Sequence, residues 1–339
     1  MSAFGALLAA LLAIAAVVTA TLGLLQDHDL APRSPPVKPH RQASGSGAPV
    51  ANLKSIGHLA SAVSGAGAVV DDASGATFFG GLDSANTPIA TVQSFDGSTT
   101  SSVGTLPAPL AASGAAVLDG TVYLFGGNDT SGPTSDIVSA STSGSSSTIA
   151  GSLTQPVEGA AVAGVDNTAY VFGGYDGVSD LDSIVSWNPT AGAATVASLP
   201  HPVADAAALA YDGAVYVIGG IDNGAMTFAI YRFDPSTKSV TKVAALPIAL
   251  AQSAVAADGA VMMIFGGNRA AGGNQSSAIY SFSPATTAVK LIGLLPARLA
   301  GAMAVSVPGA ILLAGGVEPS GQTNPTIYKV ELGRSKTSG

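Results

Sequence analysis

Polar residues at one recurring loop position could form a binding or catalytic site. Most equivalent positions carry Ala, Gly or Val, so the polar residues stand out: Glu158, His201, Asp205, Gln252 and Arg298. A carboxylate with an arginine could bind a sugar acid or a peptide terminus through charge-assisted hydrogen bonds. Such a set could also perform acid–base chemistry if its pKa values were shifted. The alternative is ordinary surface or backbone-capping polarity, and the sequence leaves both interpretations open.

A second set of acidic residues follows glycine pairs that recur along the chain. In five of six repeats an acid stands two residues after the pair, and in the remaining repeat Arg269 stands there. The acids are Asp83, Asp129, Asp176, Asp222 and Glu318. An aspartate in a turn often accepts hydrogen bonds from its own backbone. The alternative is an acidic rim that attracts cations or basic partners.

Composition excludes several kinds of chemistry. The chain has no cysteine, which rules out disulfides, thiolate metal ligation and a thiol nucleophile. The four histidines form no metal-ligand spacing, and the sequence predicts neither a metal nor a cofactor. From Ala51 onward there are 10 Lys+Arg and 19 Asp+Glu, a net charge of −9. Nucleic-acid binding needs a basic face, so we expect no nucleic-acid partner.

The elements that must position these residues are six repeats, each marked by a glycine pair after an apolar run. Successive first glycines lie 46, 47, 46, 47 and 49 residues apart. A period of this length is typical of propeller blades. We expect the pairs to let strands crowd near a narrow central channel, where a Cβ would clash. The pairs are Gly80-Gly81, Gly126-Gly127, Gly173-Gly174, Gly219-Gly220, Gly266-Gly267 and Gly315-Gly316.

Each repeat contains four short strand patterns. The second strand is rich in β-branched and aromatic residues, as in TVYLF and TAYVF, and turns such as Asp119-Gly120 join it to the first. Residues 327–332 form a third strand without a fourth, whereas 53–59 form a fourth strand without the first three. The N-terminal strand is therefore predicted to complete the last blade and close the ring. The low-complexity stretch 139–148 predicts a loose outer hairpin in the second blade.

Over residues 51–332 the chain resembles the kelch family. The resemblance rests on the apolar run before each glycine pair, on Phe233-Asp234-Pro235 and the similar Trp187-Asn188-Pro189, and on the Leu-Pro that opens each next repeat. It implies an all-β, six-bladed propeller. The family often carries Trp in the fourth strand, where this chain has Val240 or Val289. The family's Arg after Leu-Pro is replaced by apolar residues, namely Leu110, Val157 and Val203.

The N-terminal 50 residues lie outside the repeats. Residues 3–25 are uncharged and would span roughly 34 Å as a helix, so we expect residues 1–25 to be a transmembrane anchor or a signal segment. Residues 26–50 read as a Pro/Gly/Ser-rich linker, and 333–339 as a disordered tail. Arg33, Lys38 and Arg41 would favour a cytoplasmic propeller by the positive-inside rule. The low charge and Ser/Thr-rich repeats favour export, and we expect a membrane-anchored, extracytoplasmic propeller.

In a four-stranded blade, the loop before the first strand and the loop joining strands two and three emerge on the same face. The first functional hypothesis is a binding module that holds a protein, peptide or glycan on this loop face. Six-bladed kelch proteins include sialic-acid mutarotases, so the resemblance leaves a sugar mutarotase open as a second hypothesis. Ring opening of a sugar needs only a modest acid–base set, for which Glu158, His201 and Arg298 are candidates. A third hypothesis is an architectural envelope protein.

Overall fold

The computed structural model describes residues 48–71, 75–269 and 274–334, which form β-strands and connecting loops. Within these ranges no helix is long and apolar enough to cross a membrane. The predicted anchor at 1–25 and most of the predicted linker lie outside the described residues. So do residues 335–339 of the predicted tail.

The strands form six four-stranded antiparallel sheets, which we number as blades from the first complete one. Strand β1 is Pro49–His58. Blade one contains β2 (Gly67–Val70), β3 (Ala76–Phe79), β4 (Thr91–Phe95) and β5 (Thr100–Thr105). Blade two contains β6 (Gly114–Leu118), β7 (Thr121–Phe125), a small hairpin of β8 (Asn128–Asp129) and β9 (Gly132–Pro133), then β10 (Asp136–Ser141) and β11 (Ser147–Ser152).

The remaining blades repeat this order from the innermost strand to the outermost. Blade three contains β12 (Ala161–Val165), β13 (Thr168–Phe172), β14 (Ser183–Asn188) and β15 (Gly192–Ser198). Blade four contains β16 (Ala207–Tyr211), β17 (Ala214–Ile218), the hairpin β18 (Ile221–Asp222) and β19 (Ala225–Met226), β20 (Ala229–Asp234) and β21 (Ser239–Ala245). Blade five contains β22 (Ala254–Asp258), β23 (Val261–Phe265), β24 (Ala278–Ser283) and β25 (Ala288–Leu294). Blade six contains β26 (Met303–Val307), β27 (Ala310–Ala314) and β28 (Thr326–Arg334).

Blade six is completed by β1, as the sequence predicts. Strand β1 pairs antiparallel with β28, with Leu53 opposite Val330 and Pro49 opposite Arg334. Both strands therefore run two residues beyond the boundaries at 51 and 332 that the repeat pattern indicates. Because β1 covers the outer edge of β28, that edge is not left open to pair with another chain.

The apolar core lies between neighbouring blades. An aromatic residue on the third strand of one blade packs against aromatic residues on the second strand of the blade before it. The Trp187 ring lies 4.7 Å from Tyr123 and 5.4 Å from Phe125, and Phe233 lies 5.4 Å from Phe172. These tilted and edge-on pairs stabilise the contacts between blades beyond the area they bury.

Blade two fills this position differently, and the prediction of a loose hairpin at 139–148 is wrong. Its third strand carries Ala140 where blade three has Trp187. The turn after Ala140 folds onto blade one, where the Thr77 hydroxyl donates a 2.7 Å hydrogen bond to the Thr142 carbonyl. A Cβ on Gly144 would lie 2.5 Å from Val92 Cγ1. The serine-rich turn is therefore packed against blade one, where the small side chain of Ala140 leaves room.

The glycine pairs pack between blades, which corrects the expected position beside the channel. In all six pairs both glycines have positive φ. A Cβ on Gly173 would lie 2.0 Å from the Val203 carbonyl oxygen, which belongs to the next blade. The Gly174 N–H donates a 2.7 Å hydrogen bond to that same oxygen. Each of the other five pairs makes the equivalent bond, and the lack of side chains allows neighbouring blades to approach this closely.

Candidate functional site

Two sets of loops meet on one face of the propeller, as expected. The first set consists of the segments before each innermost strand, which we call leading loops. The second set joins strands two and three. Backbone bridges tie the two sets together within each blade, for example Ala204 with Ile221 and Ala251 with Asn268. We call this side of the propeller the loop face.

A closed ring of six backbone hydrogen bonds surrounds the channel on the loop face. Each blade contributes one residue, whose N–H donates to the carbonyl of the ring residue in the preceding blade at 2.8–2.9 Å. All six residues have positive φ, between 51° and 62°. They are Gly65, Ala112, Gly159, Asp205, Gln252 and Gly301. This ring fixes the geometry of the channel mouth.

Asp205 and Gln252 carry the polar side chains of the ring and occupy adjacent positions in it. Glycine adopts left-handed backbone without strain, whereas other residues occupy it at some cost. Such strained positions are found preferentially at functional sites. Both residues line a cavity of about 370 Å³ in the channel, whose walls are mostly alanine and glycine.

A short hydrogen-bond network orients the Asp205 carboxylate. Gln252 Nε2 donates to Asp205 Oδ2 at 3.0 Å, and Asn268 Nδ2 donates to Gln252 Oε1 at 2.7 Å. A Cβ on Gly159 would lie 2.6 Å from Asp205 Oδ1. The missing side chain at Gly159 therefore makes the space that the carboxylate occupies.

The environment of Asp205 changes its acidity. Burial raises the pKa of Asp205 to about 6, while the hydrogen bond from Gln252 opposes the rise and the charges of Glu158 and Asp180 add to it. A carboxyl group with this pKa changes its charge close to neutral pH. Perturbed carboxyl groups inside a cleft are typical of binding and catalytic sites, although structural networks also produce them.

The structure places Asp205, Gln252 and Asp83 in the lining of one cavity, and the charge of Glu158 acts on Asp205 from outside that lining. Glu158, His201 and Arg298 do not belong to the channel lining. Glu158 accepts a hydrogen bond from Asn128 Nδ2, and His201 Nδ1 lies 4.0 Å from the carboxylate of Asp222. The side chain of Arg298 is exposed. The proposed acid–base role of these three residues therefore stays a prediction, with their side chains outside the cavity lining.

The acids after the glycine pairs make mainly local contacts. Asp83, Asp129 and Asp176 each accept hydrogen bonds from backbone N–H groups of their own turns. The bonds from Ser179 and Val178 lower the pKa of Asp176. The remaining two acids bond to nearby asparagines, Asp222 to Asn223 and Glu318 to Asn324. Hydrogen bonds within the turn thus account for three of the five carboxylates. The described residues contain no cluster of His, Asp and Glu suited to holding a metal ion.

The sequence motifs single out neither Asn268 nor the ring. The ring residues share one position, 14 residues before the first glycine of each pair and 15 in blade one. Three of the six are glycine, which is the residue that left-handed backbone favours. Aligning the repeats on this position would have separated Asp205 and Gln252 from the other polar residues of the leading loops.

Comparison with known proteins identifies the repeat. The model of the Kelch motif matches residues 156–193 and 202–247, which fall in blades three and four. The solved structure of YjhT superimposes with a TM-score of 0.70 at 16% sequence identity, covering 82% of this chain and 99% of that one. At this identity the likeness shows the fold alone. No curated protein sequence matches the chain.

Proposed function

This chain is a kelch-repeat β-propeller, and from that premise we propose that it is a binding module for a protein or peptide partner. Kelch propellers generally bind protein partners. The partner would lie on the loop face, over the channel mouth. A propeller fold by itself supports many activities, so the proposal depends on the residues at that mouth.

One observation carries the proposal. Asp205 and Gln252 lie side by side on a rigid backbone ring, over a preformed cavity with mostly small apolar walls. Preformed clefts with a few oriented polar groups are the usual form of ligand sites. Because the ring is held by hydrogen bonds between all six blades, the two side chains need little reordering when a partner binds.

We place this module outside the cytoplasm, tethered through residues 3–25. The uncharged N-terminal stretch and the low proportion of charged residues, 10% of the chain, support this placement. A glycan of the cell envelope is an additional class of partner for such a location. Protease treatment of intact cells, with a C-terminal tag on the chain, tests the placement. Cleavage only after the inner membrane is lysed would contradict it.

Selection of displayed peptides on the full chain tests the binding function. Gln252→Lys would place a cation beside the Asp205 carboxylate and fill the mouth, so selected peptides should bind at least about tenfold more weakly. Thr286→Lys is the matched control, because it adds the same charge at an exposed turn away from the loop face. Circular dichroism and thermal unfolding verify that both variants fold. Equal binding to the two variants would place the partner elsewhere.

A mutarotase-type enzyme is a second candidate, favoured by the raised pKa of Asp205. A carboxyl group that titrates near neutrality can both accept and donate a proton, which is the chemistry that ring opening of a sugar requires. Exchange between sugar anomers, followed by NMR, should then be accelerated by the full chain and not by Asp205→Asn. Equal exchange rates for the two proteins would contradict this candidate.

A further inference from the structure

We propose that the channel mouth binds a protonated primary amine whose apolar chain enters the alanine-lined channel. The inference rests on the proposed binding function and names the chemical class of its ligand. A free alkylamine and the N-terminal ammonium of a peptide share this chemistry. Three independent features of the mouth support it: its hydrogen-bonding capacity, its charge and the walls of the channel.

Two hydrogen-bonding groups that line the cavity can accept further hydrogen bonds. Gln252 uses its amide group to donate to Asp205 and its carbonyl to accept from Asn268. Ser113 lines the cavity, is 8% exposed and has a buried hydroxyl with no hydrogen-bond partner among the described residues. No described residue donates to Asp205 Oδ1. The Ser113 oxygen can also accept, so a ligand that brings donors can bond to both groups.

The charge around Asp205 selects a cation. The charges that act on Asp205 are those of Glu158 and Asp180, and Asp83 lines the same cavity, so all three neighbouring charges are acidic. Neither His201 nor Arg298 belongs to the channel lining, so no described basic side chain there neutralises the carboxylate. An anionic ligand such as a sugar acid would meet like charge at the mouth. A primary ammonium supplies three donors and one positive charge, which matches the Asp205 carboxylate and the unpartnered Ser113 hydroxyl.

The walls below the mouth suit an apolar chain. The innermost strands contribute only Ala and Val at one level of the channel: Ala68, Ala115, Val162, Ala208, Val255 and Ala304. Small side chains leave a cavity of about 370 Å³, large enough for a short alkyl group. Each methylene group that enters it should tighten binding by about fourfold. An amine with its ammonium at the mouth and its chain in the channel uses both parts of the site.

Binding should depend on pH through Asp205, because the carboxyl group must be ionised to hold the ammonium. Burial raises the pKa of Asp205 to about 6, and Glu158 and Asp180 face the same group. An aliphatic amine stays protonated throughout this range. Affinity should therefore rise from about pH 5 to about pH 7.5, and Asp205→Asn should abolish that rise.

Calorimetric titration of the full chain with pentylamine, and with N-acetylpentylamine as the uncharged probe, tests the inference. Pentylamine should bind, and the acetylated probe should bind at least about tenfold more weakly. Asp205→Asn should lower the affinity for pentylamine by a similar factor. Asparagine is chosen because its side chain tolerates left-handed backbone. Asp205→Gly is the second variant, since glycine occupies three of the six ring positions. Asp176→Asn removes one charge from the loop face outside the channel lining, and should change affinity less than about twofold.

The outcomes separate the ligand class from the binding function. Equal affinity of Asp205→Asn and the unaltered chain for pentylamine overturns the inference, and so does equal binding of the acetylated probe. Absence of pentylamine binding also overturns it, whereas the binding function is judged by the displayed peptides and Gln252→Lys. Two further probes identify whether the ammonium group belongs to a peptide or to a free amine. They are a peptide with a free apolar N-terminal residue and the N-acetylated form of that peptide. If the peptide with the free N-terminus competes with pentylamine, the natural ligand is a peptide terminus. If it does not compete, the natural ligand is a free amine.

Discussion

Replacing Gly173 with alanine tests the role assigned to the glycine pairs. The added Cβ would lie 2.0 Å from the Val203 carbonyl oxygen and 2.8 Å from the Leu181 carbonyl oxygen. Both contacts are shorter than non-bonded carbon and oxygen atoms allow, so the backbone of one blade must move. The movement also disturbs the 2.7 Å hydrogen bond from Gly174 to Val203, which joins blades three and four.

A control at Gly213 isolates the cost of left-handed backbone. Gly213 has φ of 70°, and no atom lies within 4 Å of the position of an added Cβ. Alanine there should cost only the conformational penalty, about 1 kcal/mol. Gly173, with φ of 57°, carries the same penalty. In Gly173→Ala the forced displacement of the backbone costs about 1–3 kcal/mol more, and the weakened hydrogen bond between Gly174 and Val203 costs about 1 kcal/mol more.

We therefore expect Gly173→Ala to lower the free energy of unfolding by about 3–5 kcal/mol and Gly213→Ala by about 1 kcal/mol. In a domain of this size about 1 kcal/mol lowers Tm by about 2 °C, so the losses should be about 6–10 °C and about 2 °C. Urea unfolding followed by circular dichroism measures both. Equal losses for the two variants would refute the argument that the pairs are required by close contact between blades.

Three further predictions concern other parts of the propeller. Deleting Pro49–His58 should expose the edge of β28, so the chain should unfold or self-associate. Size-exclusion chromatography with light scattering measures this, and a stable monomer would contradict the closing role of β1. Trp187→Ala should cost about 3–5 kcal/mol in urea unfolding, because the ring is 3% exposed between blades two and three; a loss below about 1 kcal/mol would show that the site collapses. The pKa of Asp205 rises from 3.8 to about 6 on folding, so the native state binds more protons and loses stability as pH rises through this window. Asp205→Asn should thus be about 2–3 kcal/mol more stable than the unaltered chain at about pH 7.5 and equal to it near pH 3, and a constant difference across pH would contradict the shift.

The repeat predicted the architecture because its signals are local and recur six times. An apolar run, a glycine pair and a two-residue turn specify each pair of inner strands without knowledge of their neighbours. The closing strand was also predictable, since residues 53–59 match a fourth strand and 327–332 lack one. Contacts between blades were not predictable in the same way. The packing of Gly144 against Val92 depends on Ala140 having no aromatic ring, which no local pattern in the serine-rich turn reveals.

The candidate site was predicted only in part, and the reason lies in the backbone of the leading loops. Asp205 and Gln252 occupy the left-handed ring position, whereas Glu158 is one residue before it, Arg298 three and His201 four. These offsets place the side chains outside the channel lining although all five residues belong to leading loops. A left-handed position is the one where a repeat most readily accepts glycine. A polar residue at this position lines the cavity, as Asp205 and Gln252 do, and is therefore a stronger indication of function than polarity elsewhere in the loop.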